Sequence, residues 1–325
     1  MFTFLKKQRY IYMAALGLLI LPCLLAGCGK GKALWPAEQR AAEQRTDAKS
    51  ADEETILFRL AETMPEDHPS AKATRHFAEL VEKESQGKIK IRVYYDEELG
   101  SPKEIIEQMK FGGIAMARVN SLELSDAIPA LRQYLLPEKY TGAGNQIESF
   151  QKSEQDLRNT CQLEKITPLT WYYPDLRCIY SSNRAIEGKA DLRGAKVKTT
   201  ECRVMEEIMK ELGAESVGIT GANLYHSLSS GDIQYAESGF CEFICRDYGK
   251  YLHYVMVTDY AYFPDVMLIN TESLNSLSPS EKEILRACAD ETYEYQKKEM
   301  LAFKEHWTAE LGKNDKVEFR EKGFN

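Results

Sequence analysis

Apolar residues are concentrated in one block near the start of the chain. Residues 11–25 are almost wholly apolar, and Lys6, Lys7 and Arg9 precede them with no acidic residue nearby. A helix that spans a membrane needs about 20 apolar residues, so this block is short for that role. A basic segment followed by a short apolar segment that ends in small residues is typical of a signal peptide, which we predict over residues 1–27.

The predicted signal peptide is followed by a cysteine that an ordinary signal does not need. Leu25-Ala26-Gly27-Cys28 resembles the bacterial lipobox. That resemblance implies a diacylglyceryl group on Cys28, which becomes the new N-terminus. The alternative is an uncleaved membrane anchor in which Cys28 has no role. Residues 28–54 are polar and nearly free of large apolar side chains. We therefore expect a lipidated cysteine and a flexible tether, which hold the protein at the extracytoplasmic face of the cell membrane.

The residues after the tether alternate between helical and β-type patterns. Ala73, Phe77 and Leu80 have the spacing of one face of a helix. From Ile89 to Val93, apolar residues alternate with basic ones, as in a half-buried strand. The β-α-β-α-β order of these patterns is typical of an α/β lobe with a largely parallel sheet. The predicted strands are residues 55–61, 89–93 and 114–119.

The same kind of pattern repeats in the second half of the chain. Residues 196–199 and 266–269 are predicted strands, and residues 203–212 form a predicted helix. The Ser-Pro-Ser-Glu sequence that begins at Ser278 is typical of a helix start. The helix that it opens is predicted to run to about Trp307. We therefore predict an α/β fold of two lobes, with a ligand cleft between the lobes and a long C-terminal helix.

Composition and motifs exclude several classes of protein. The formal net charge is −8, and general nucleic-acid binding needs a basic surface instead. The chain has no P-loop, GxGxxG, nucleophile-elbow or HExxH sequence, so we predict neither an enzyme nor a bound cofactor. The cysteines after Cys28 are irregularly spaced and lack the pattern of a zinc site, so no metal is predicted. They are Cys161, Cys178, Cys202, Cys241, Cys245 and Cys288.

A series of short motifs extends over about residues 56–300. They are the Pro-x-x-His-Pro turn at Pro65, the segment FAELVEKESQGKIKIRVYYDEELGSPKEIIEQMKFG from Phe77, Leu176-Arg177, Ser182-Asn183-Arg184-Ala185-Ile186, Asp191-Leu192-Arg193-Gly194-Ala195-Lys196-Val197-Lys198, and Tyr225-His226-Ser227-Leu228-Ser229-Ser230-Gly231. In this order and spacing they resemble the solute-binding subunits of TRAP transporters, the DctP-like family.

The resemblance implies a clamp built like the periplasmic binding proteins. Such a clamp captures a small solute, usually a carboxylate, and delivers it to an integral-membrane transporter that is coupled to an ion gradient. The implied first lobe is residues 55–175 plus 263–302, the second lobe is 176–262, and a tail of 303–325 packs on the lobes. Two alternatives stay open. One is a binding protein that reports its ligand to a surface sensor, and the other, with less support, is an enzyme.

In the family two arginines commonly meet the ligand carboxylate. The first matches Arg177, whose guanidinium can bind a carboxylate through two parallel hydrogen bonds, although a structural ion pair is the alternative. The position of the second holds Lys198, which keeps the charge and loses the planar fork. Arg203 follows five residues later. The family's Gln-Glu-Asn-Pro segment is changed to Ala236-Glu237-Ser238-Gly239, so a hydroxyl replaces an asparagine amide.

Further candidate ligand contacts lie in loops beside the predicted strands. Glu62 and Asn120 follow the first and third strands, and Tyr173 precedes Arg177. Aromatic walls beside a few polar groups suit a small organic ligand. We expect three partners: a small molecule that carries a carboxylate, the TRAP transporter subunits, and the membrane. The predicted ligand-binding residues are Arg177, Lys198, Asn120, Glu62, Ser238, Glu237, Tyr173, Tyr235, Phe240 and Arg203.

Overall fold

The computed structural model describes residues 55–136, 148, 150, 152–219, 221–258, 260–313 and 317–321. The predicted signal peptide, the predicted lipid on Cys28 and the predicted tether over residues 28–54 lie outside the described residues. Within the described part of the chain, no helix combines the length and the apolar character that crossing a membrane requires.

The described chain alternates between strands and helices through most of its length. The strands are β1 (Ile56–Glu62), β2 (Ile89–Tyr94), β3 (Met116–Asn120), β4 (Ile166–Trp171), β5 (Arg177–Ser181), β6 (Lys196–Thr199), β7 (Glu215–Gly218), β8 (Tyr235–Gly239), β9 (Tyr254–Val257), β10 (Asp265–Asn270) and β11 (Glu318–Glu321). The helices are α1 (Pro69–Glu84), α2 (Pro102–Lys110), α3 (Ser121–Ala127), α4 (Arg132–Leu135), α5 (Glu154–Leu163), α6 (Arg203–Glu211), α7 (Gly221–Ser230), α8 (Phe240–Cys245), α9 (Thr271–Asn275) and α10 (Pro279–Leu311).

The first lobe is built on a sheet with the strand order β2-β1-β3-β10-β4. β1 is parallel to β2 and to β3, whereas β10 is antiparallel to both β3 and β4. Four strands of this sheet therefore run in one direction and β10 opposes them, which agrees with the predicted largely parallel sheet. β10 runs the other way because the chain enters it on its return from the second lobe, not through a crossover helix.

Both faces of the first sheet are buried. Ala117 and Val119 of β3 pack in one hydrophobic cluster with Ile106 of α2. Met116 of the same strand packs in another cluster with Phe77 of α1. Successive side chains of a strand point to opposite faces, so this alternation places helices on both sides of the sheet. The strand ends and the loops that follow them remain available for a site.

The second lobe is built on a sheet with the order β11-β9-β5-β8-β6-β7. The chain passes from the first sheet to the second between Trp171 and Arg177, and it returns between Val257 and Asp265. These connections contain the predicted lobe boundaries. β11 comes from the predicted tail and pairs in parallel with β9, so this part of the tail is a strand of the second sheet.

α10 connects the two lobes along their length. Ser278 and Glu281 form a capping box at its start, with Ser278 N donating to Glu281 Oε2 over 2.7 Å. The helix contacts α1 and β4 of the first lobe, and α8 and β11 of the second. It continues to Leu311, four residues beyond the end predicted from the sequence. The long C-terminal helix that the sequence predicts is therefore confirmed, and it spans both lobes.

A buried ion network fixes the strand ends of the first lobe. Arg118 of β3 is fully buried, and its Nε donates to Glu62 Oε1 over 2.7 Å. Its Nη1 lies 3.3 Å from Asp265 Oδ1, and Asp265 also accepts hydrogen bonds from Ser70 and Asn120. Burial alone would lower the pKa of Arg118, but Glu62 and Asp265 raise it well above its ordinary value. The network ties β1, β3, β10 and the start of α1 together.

We predict that Arg118→Met lowers the unfolding free energy by about 3–5 kcal/mol, because Glu62 and Asp265 would stay buried without their counter-charge. Urea unfolding monitored by circular dichroism measures the change. Lys83→Met is the control, since Lys83 is exposed and pairs only with its neighbour Glu84 among the described residues; it should match the wild type. A loss for Arg118→Met no greater than that of the control would contradict the role assigned to the network.

Candidate functional site

A cavity of ≈ 1020 Å³ lies between the two lobes. Loops that follow strands of the first sheet form one wall, and β5, β6, α6 and α8 supply the other. Pockets for small ligands have volumes of about 300–1,000 Å³, so this cavity is large enough for an organic solute. Of the ligand-binding residues predicted from the sequence, Arg177, Lys198, Asn120 and Arg203 line it.

Arg177 is the first residue of β5 and is 6 % exposed. Its Nε and Nη2 donate to the two carboxylate oxygens of Glu237 on β8, over 2.7 and 2.6 Å. Tyr260 also donates to Glu237, over 2.8 Å, and the ring of Phe263 lies 5.3 Å from the guanidinium carbon. Glu237 therefore occupies the planar fork of Arg177. The sequence analysis left open whether Arg177 forms a structural ion pair or contacts the ligand. In the structure it forms the ion pair and also lines the cavity.

Lys198 lies on β6 and is 7 % exposed. Its Nζ is 3.8 Å from Glu242 Oε1 and 5.9 Å from the ring centroid of Tyr248. The ammonium makes no hydrogen bond with a described residue, although it has three protons to donate. A buried cation without hydrogen bonds is costly. Lys198 therefore presents to the cavity a positive group whose hydrogen-bond donors have no acceptor among the described residues.

Glu242 and Arg246 are four residues apart at α8, and the sequence analysis did not single them out. Arg246 Nη1 donates to Asp96 Oδ1 over 2.9 Å, and Nη2 donates to the carbonyl of Thr63 over 3.3 Å. Burial alone would raise the pKa of Glu242, but Lys198 and Arg246 lower it below its ordinary value. The sequence does hold a signal for this pair, because an acidic and a basic residue four positions apart lie on the same face of a helix. Arg246 thus links α8 of the second lobe to loops of the first.

Asn120 and Glu123 line the first-lobe wall at the start of α3. The amide of Asn120 donates to Asp265 Oδ1 over 2.9 Å, and its Oδ1 accepts from Leu122 N over 3.0 Å. Glu123 Oε2 accepts from Asn120 N over 3.1 Å and completes a capping box. Burial raises the pKa of Glu123 to about 7. This carboxyl group was not predicted, and it lies where a ligand can reach it.

Glu97 lines the same wall, in the loop between β2 and α2. Asp96 and Glu97 have φ angles of 51° and 62°, a left-handed conformation that costs about 1–2 kcal/mol for each such residue. Asp96 N donates to Met64 O over 3.0 Å, which holds the loop against the segment after β1. Burial raises the pKa of Glu97. The strained loop thus keeps a second carboxyl group at the cavity.

Three polar residues of the predicted site are buried and do not line the cavity. Glu62 binds Arg118, and Glu237 binds Arg177. Ser238 is 2 % exposed on β8, and its hydroxyl donates to the carbonyl of Gly239 over 3.3 Å. Each of these side chains has its own hydrogen-bond partner inside its lobe. Their contribution to the cavity is to hold the residues that reach it.

The three aromatic residues of the predicted site also lie away from the cavity lining. Phe240 is fully buried in a core cluster, with its ring edge-on to Phe319. Tyr235 packs in another core cluster, and its hydroxyl accepts a hydrogen bond from Arg184 over 3.2 Å. The backbone of Tyr173 exchanges two hydrogen bonds with the side chain of Gln296 on α10, over 2.9 and 3.0 Å. β8 lies between β5 and β6 in the middle of its sheet, so residues at its two ends enter the core.

His68, Asp175 and Cys241 bring possible metal-ligating atoms within 4.8 Å of one another. The Nδ1 of His68 accepts from Ser70 N over 3.1 Å at the cap of α1, so the neutral ring carries its proton on Nε2. Asp175 accepts backbone hydrogen bonds from Leu176 and Cys241, over 2.7 and 2.8 Å. His68 thus caps α1, and Asp175 joins the connection between the lobes to α8. This use fits a structural junction better than a metal site.

All six cysteines that follow Cys28 in the sequence are free thiols in the structure. Burial raises the pKa of Cys161 to about 12 and that of Cys288 to about 11. Such groups are protonated at neutral pH and are poor metal ligands or nucleophiles. The five buried ones, all except Cys245, serve as small apolar residues of the interior.

A profile of the DctP proteins, bacterial extracellular solute-binding proteins of family 7, matches residues 60–322. The chain belongs to this family. The matched region contains every residue named above as lining the cavity, and the match confirms the resemblance found in the sequence. Members of the family are solute-binding proteins and not enzymes.

Individual similar proteins cover most of the chain at low identity. The YiiZ protein of Salmonella typhimurium is 25% identical over 279 residues, which is 82% of this chain and 84% of YiiZ. A TRAP periplasmic solute-binding protein of Xanthobacter autotrophicus Py2, solved with β-D-galacturonate, is 24% identical with a TM-score of 0.75 and coverage of 81% and 89%. One from Sulfurospirillum deleyianum, solved with succinate, is 16% identical with a TM-score of 0.74 and coverage of 82% and 87%. These likenesses confirm the two-lobed fold.

The protonation of His68 should make the unfolding free energy of this solute-binding protein depend on pH. Burial lowers the pKa of His68 to about 3, from 6.5, so below pH 6.5 the unfolded chain binds a proton that the folded chain does not. The unfolding free energy should therefore rise with pH between about 3 and 6.5. His68→Asn keeps a side chain that can cap α1 and should flatten this rise. Denaturant unfolding at several pH values measures it. His226→Asn, at an exposed position, should keep the wild-type slope, and an unchanged slope in His68→Asn would contradict the assignment.

Proposed function

We propose that the protein captures a small carboxylate-bearing solute outside the cytoplasm and delivers it to the membrane subunits of a TRAP transporter. The observation that carries the proposal is Lys198, a buried cation that makes no hydrogen bond with a described residue and that lines, with Arg177, a cavity of ≈ 1020 Å³. A ligand carboxylate would supply the acceptors that Lys198 lacks, in charge-assisted hydrogen bonds. Arg177, which lines the same cavity from β5, would attract the same carboxylate with its positive charge.

Relatives support a carboxylate as the common chemical feature. The Xanthobacter protein was solved with a sugar acid and the Sulfurospirillum protein with a dicarboxylate. Both are TRAP periplasmic solute-binding proteins, and both share the two-lobed fold with this chain. Their ligands differ in size and hydroxyl content and agree in bearing a carboxylate. The groups that we assign to that carboxylate are Lys198 and Arg177.

The two-lobed arrangement suits capture by closure. Two chain connections and α10 link the lobes, so the second lobe can turn against the first without breaking either sheet. Arg246 already reaches from α8 to Asp96 and Thr63 of the first lobe. A ligand that contacts both walls would favour the closed arrangement, because a ligand shifts a conformational equilibrium by its differential affinity.

We also propose that lipid on Cys28 holds the protein beside its transporter. A flexible segment of the length of residues 28–54 spans about 30 Å on average, which is short enough to keep the clamp near the membrane. The clamp would then sample a small volume at the membrane surface. Anchoring raises its effective concentration at the transporter subunits.

Lys198 variants test the ligand site. In isothermal titration calorimetry with the tightest ligand from a panel of carboxylates, Lys198→Met should weaken binding by about 10- to 100-fold, since a charge-assisted hydrogen bond is lost. Lys198→Arg should strengthen binding of simple carboxylates, because it restores a planar fork. Lys250→Met is the control, at an exposed position of the second lobe, and should bind as the wild type does. Equal affinity in all four proteins would refute the assignment.

Cys28→Ser tests the anchor. In a lipidating host, this variant should fail to incorporate labelled fatty acid and should leave the membrane fraction, because the acceptor thiol is gone. Cys23→Ser is the matched control, since Cys23 lies within the apolar block of the predicted signal peptide, and it should be lipidated and anchored normally. Continued labelling of Cys28→Ser, or loss of label in both variants, would show that the lipid is not attached through Cys28.

A further inference from the structure

Two carboxyl groups on the first-lobe wall of the cavity have no close ion-pair partner among the described residues. Glu97 and Glu123 are half-buried, and neither forms an ion pair with a described residue. The other partly buried carboxylate of the lining is paired, because Glu242 lies 3.6 Å from Arg246 Nε and 3.8 Å from Lys198 Nζ. Solvent can screen an exposed acid, but a carboxylate that is partly removed from water needs a partner. Glu97 and Glu123 are therefore available to a ligand cation.

The exposed acids of the lining do not share this property. Glu107 and Asp126 have partners in Lys110 and Arg132, at 3.3 and 3.2 Å. Three more acids are exposed to solvent, and water satisfies them. They are Glu201, Glu206 and Glu207.

The two carboxyl groups share the cavity with Lys198, which makes no hydrogen bond with a described residue and lies 3.8 Å from the carboxylate of Glu242. Burial raises the pKa of Glu123, and the charge of Glu97 raises it further. The charge of Arg246, and to a smaller extent that of Lys198, lowers the pKa of Glu97 against the larger effect of burial. Lys198 is more than nine-tenths buried, lines the cavity and makes no hydrogen bond with a described residue. The cavity thus offers a positive group on the wall of the second lobe and two acidic groups on the wall of the first.

We propose that the solute is a zwitterion, whose carboxylate binds Lys198 and Arg177 and whose ammonium group binds Glu97 and Glu123. This inference rests on the proposed function of the cleft and specifies its ligand class. A solute that carries only a carboxylate would satisfy Lys198. It would also place a negative charge in the same cavity as Glu97 and Glu123, which would still lack a cation. An ammonium group beside the carboxylate supplies the missing charge, and it donates three hydrogen bonds. One molecule with both groups would contact both lobes and favour closure.

Ligand pairs that differ by one amino group test the proposal. The pairs are succinate with aspartate, and D-galacturonate with 2-amino-2-deoxy-D-galacturonate, each measured by isothermal titration calorimetry at pH 7.5. The amino member of at least one pair should bind the wild type at least about tenfold more tightly, which is the effect expected of one charge-assisted hydrogen bond. A preference for the member without the amino group in every pair, or equal affinity, would overturn the zwitterion and leave the proposed function standing.

Variants then locate the preference. In the double variant Glu97→Gln with Glu123→Gln, the affinities within each pair should become equal, because neither glutamine carries a charge. Glutamine can retain the capping box at the start of α3, so folding should be preserved, and matching circular dichroism and melting temperature check this. Glu207→Gln is the control, an exposed acid of the same lining, and should keep the wild-type preference. A preference that survives the double variant would refute the role of Glu97 and Glu123.

The experiment separates two failures. If the pairs bind and the amino group makes no difference, only the ligand class is wrong. If no member of either pair binds the wild type, while Lys198→Arg also fails to bind them, both the ligand class and the proposed carboxylate site are wrong.

Discussion

A charge that is buried in a protein needs an opposite charge within reach, and this constraint organises both lobes of the clamp. In the first lobe Arg118 draws Glu62 and Asp265 together, and so fixes the ends of β1, β3 and β10. In the second lobe Arg177 binds Glu237 and joins the start of β5 to β8. The strand ends that carry the cavity are therefore held by ion pairs that exist without any ligand.

The same constraint decides which charges a solute meets. Glu237 accepts both parallel hydrogen bonds that the fork of Arg177 can make, so Arg177 reaches the cavity as half of a neutral pair. Arg246 donates hydrogen bonds to Asp96 and to the carbonyl of Thr63, and it forms an ion pair with Glu242. Lys198 makes no hydrogen bond with a described residue, and its ion-pair partner Glu242 is 3.8 Å away. The binding chemistry that we propose for the cleft consequently depends on a lysine that is buried and makes no hydrogen bond with a described residue.

Local sequence pattern predicted the first lobe well, because each of its early strands and helices has its own apolar periodicity. It did not reveal β11, which becomes a strand only by pairing with β9 from a distant part of the chain. In the site, motif position led to Arg177 and Lys198, but it could not show that Glu237 occupies the fork. Tyr235 and Phe240 were placed in the site for their chemistry. Pairing of β8 between β5 and β6 puts them in the core instead.

The lysine at position 198 and the acids of the opposite wall belong to one physical arrangement. A family arginine could bind a carboxylate through two parallel hydrogen bonds and hold it by that contact, whereas an ammonium holds it as a point charge with less geometric control. A weaker and less directional contact on the second lobe needs a second contact elsewhere to fix the ligand. Glu97 and Glu123 can provide it only for a solute that brings a positive charge. The change from arginine to lysine is thus coherent with a shift of recognition from one strong contact to two charges of opposite sign, one on each lobe.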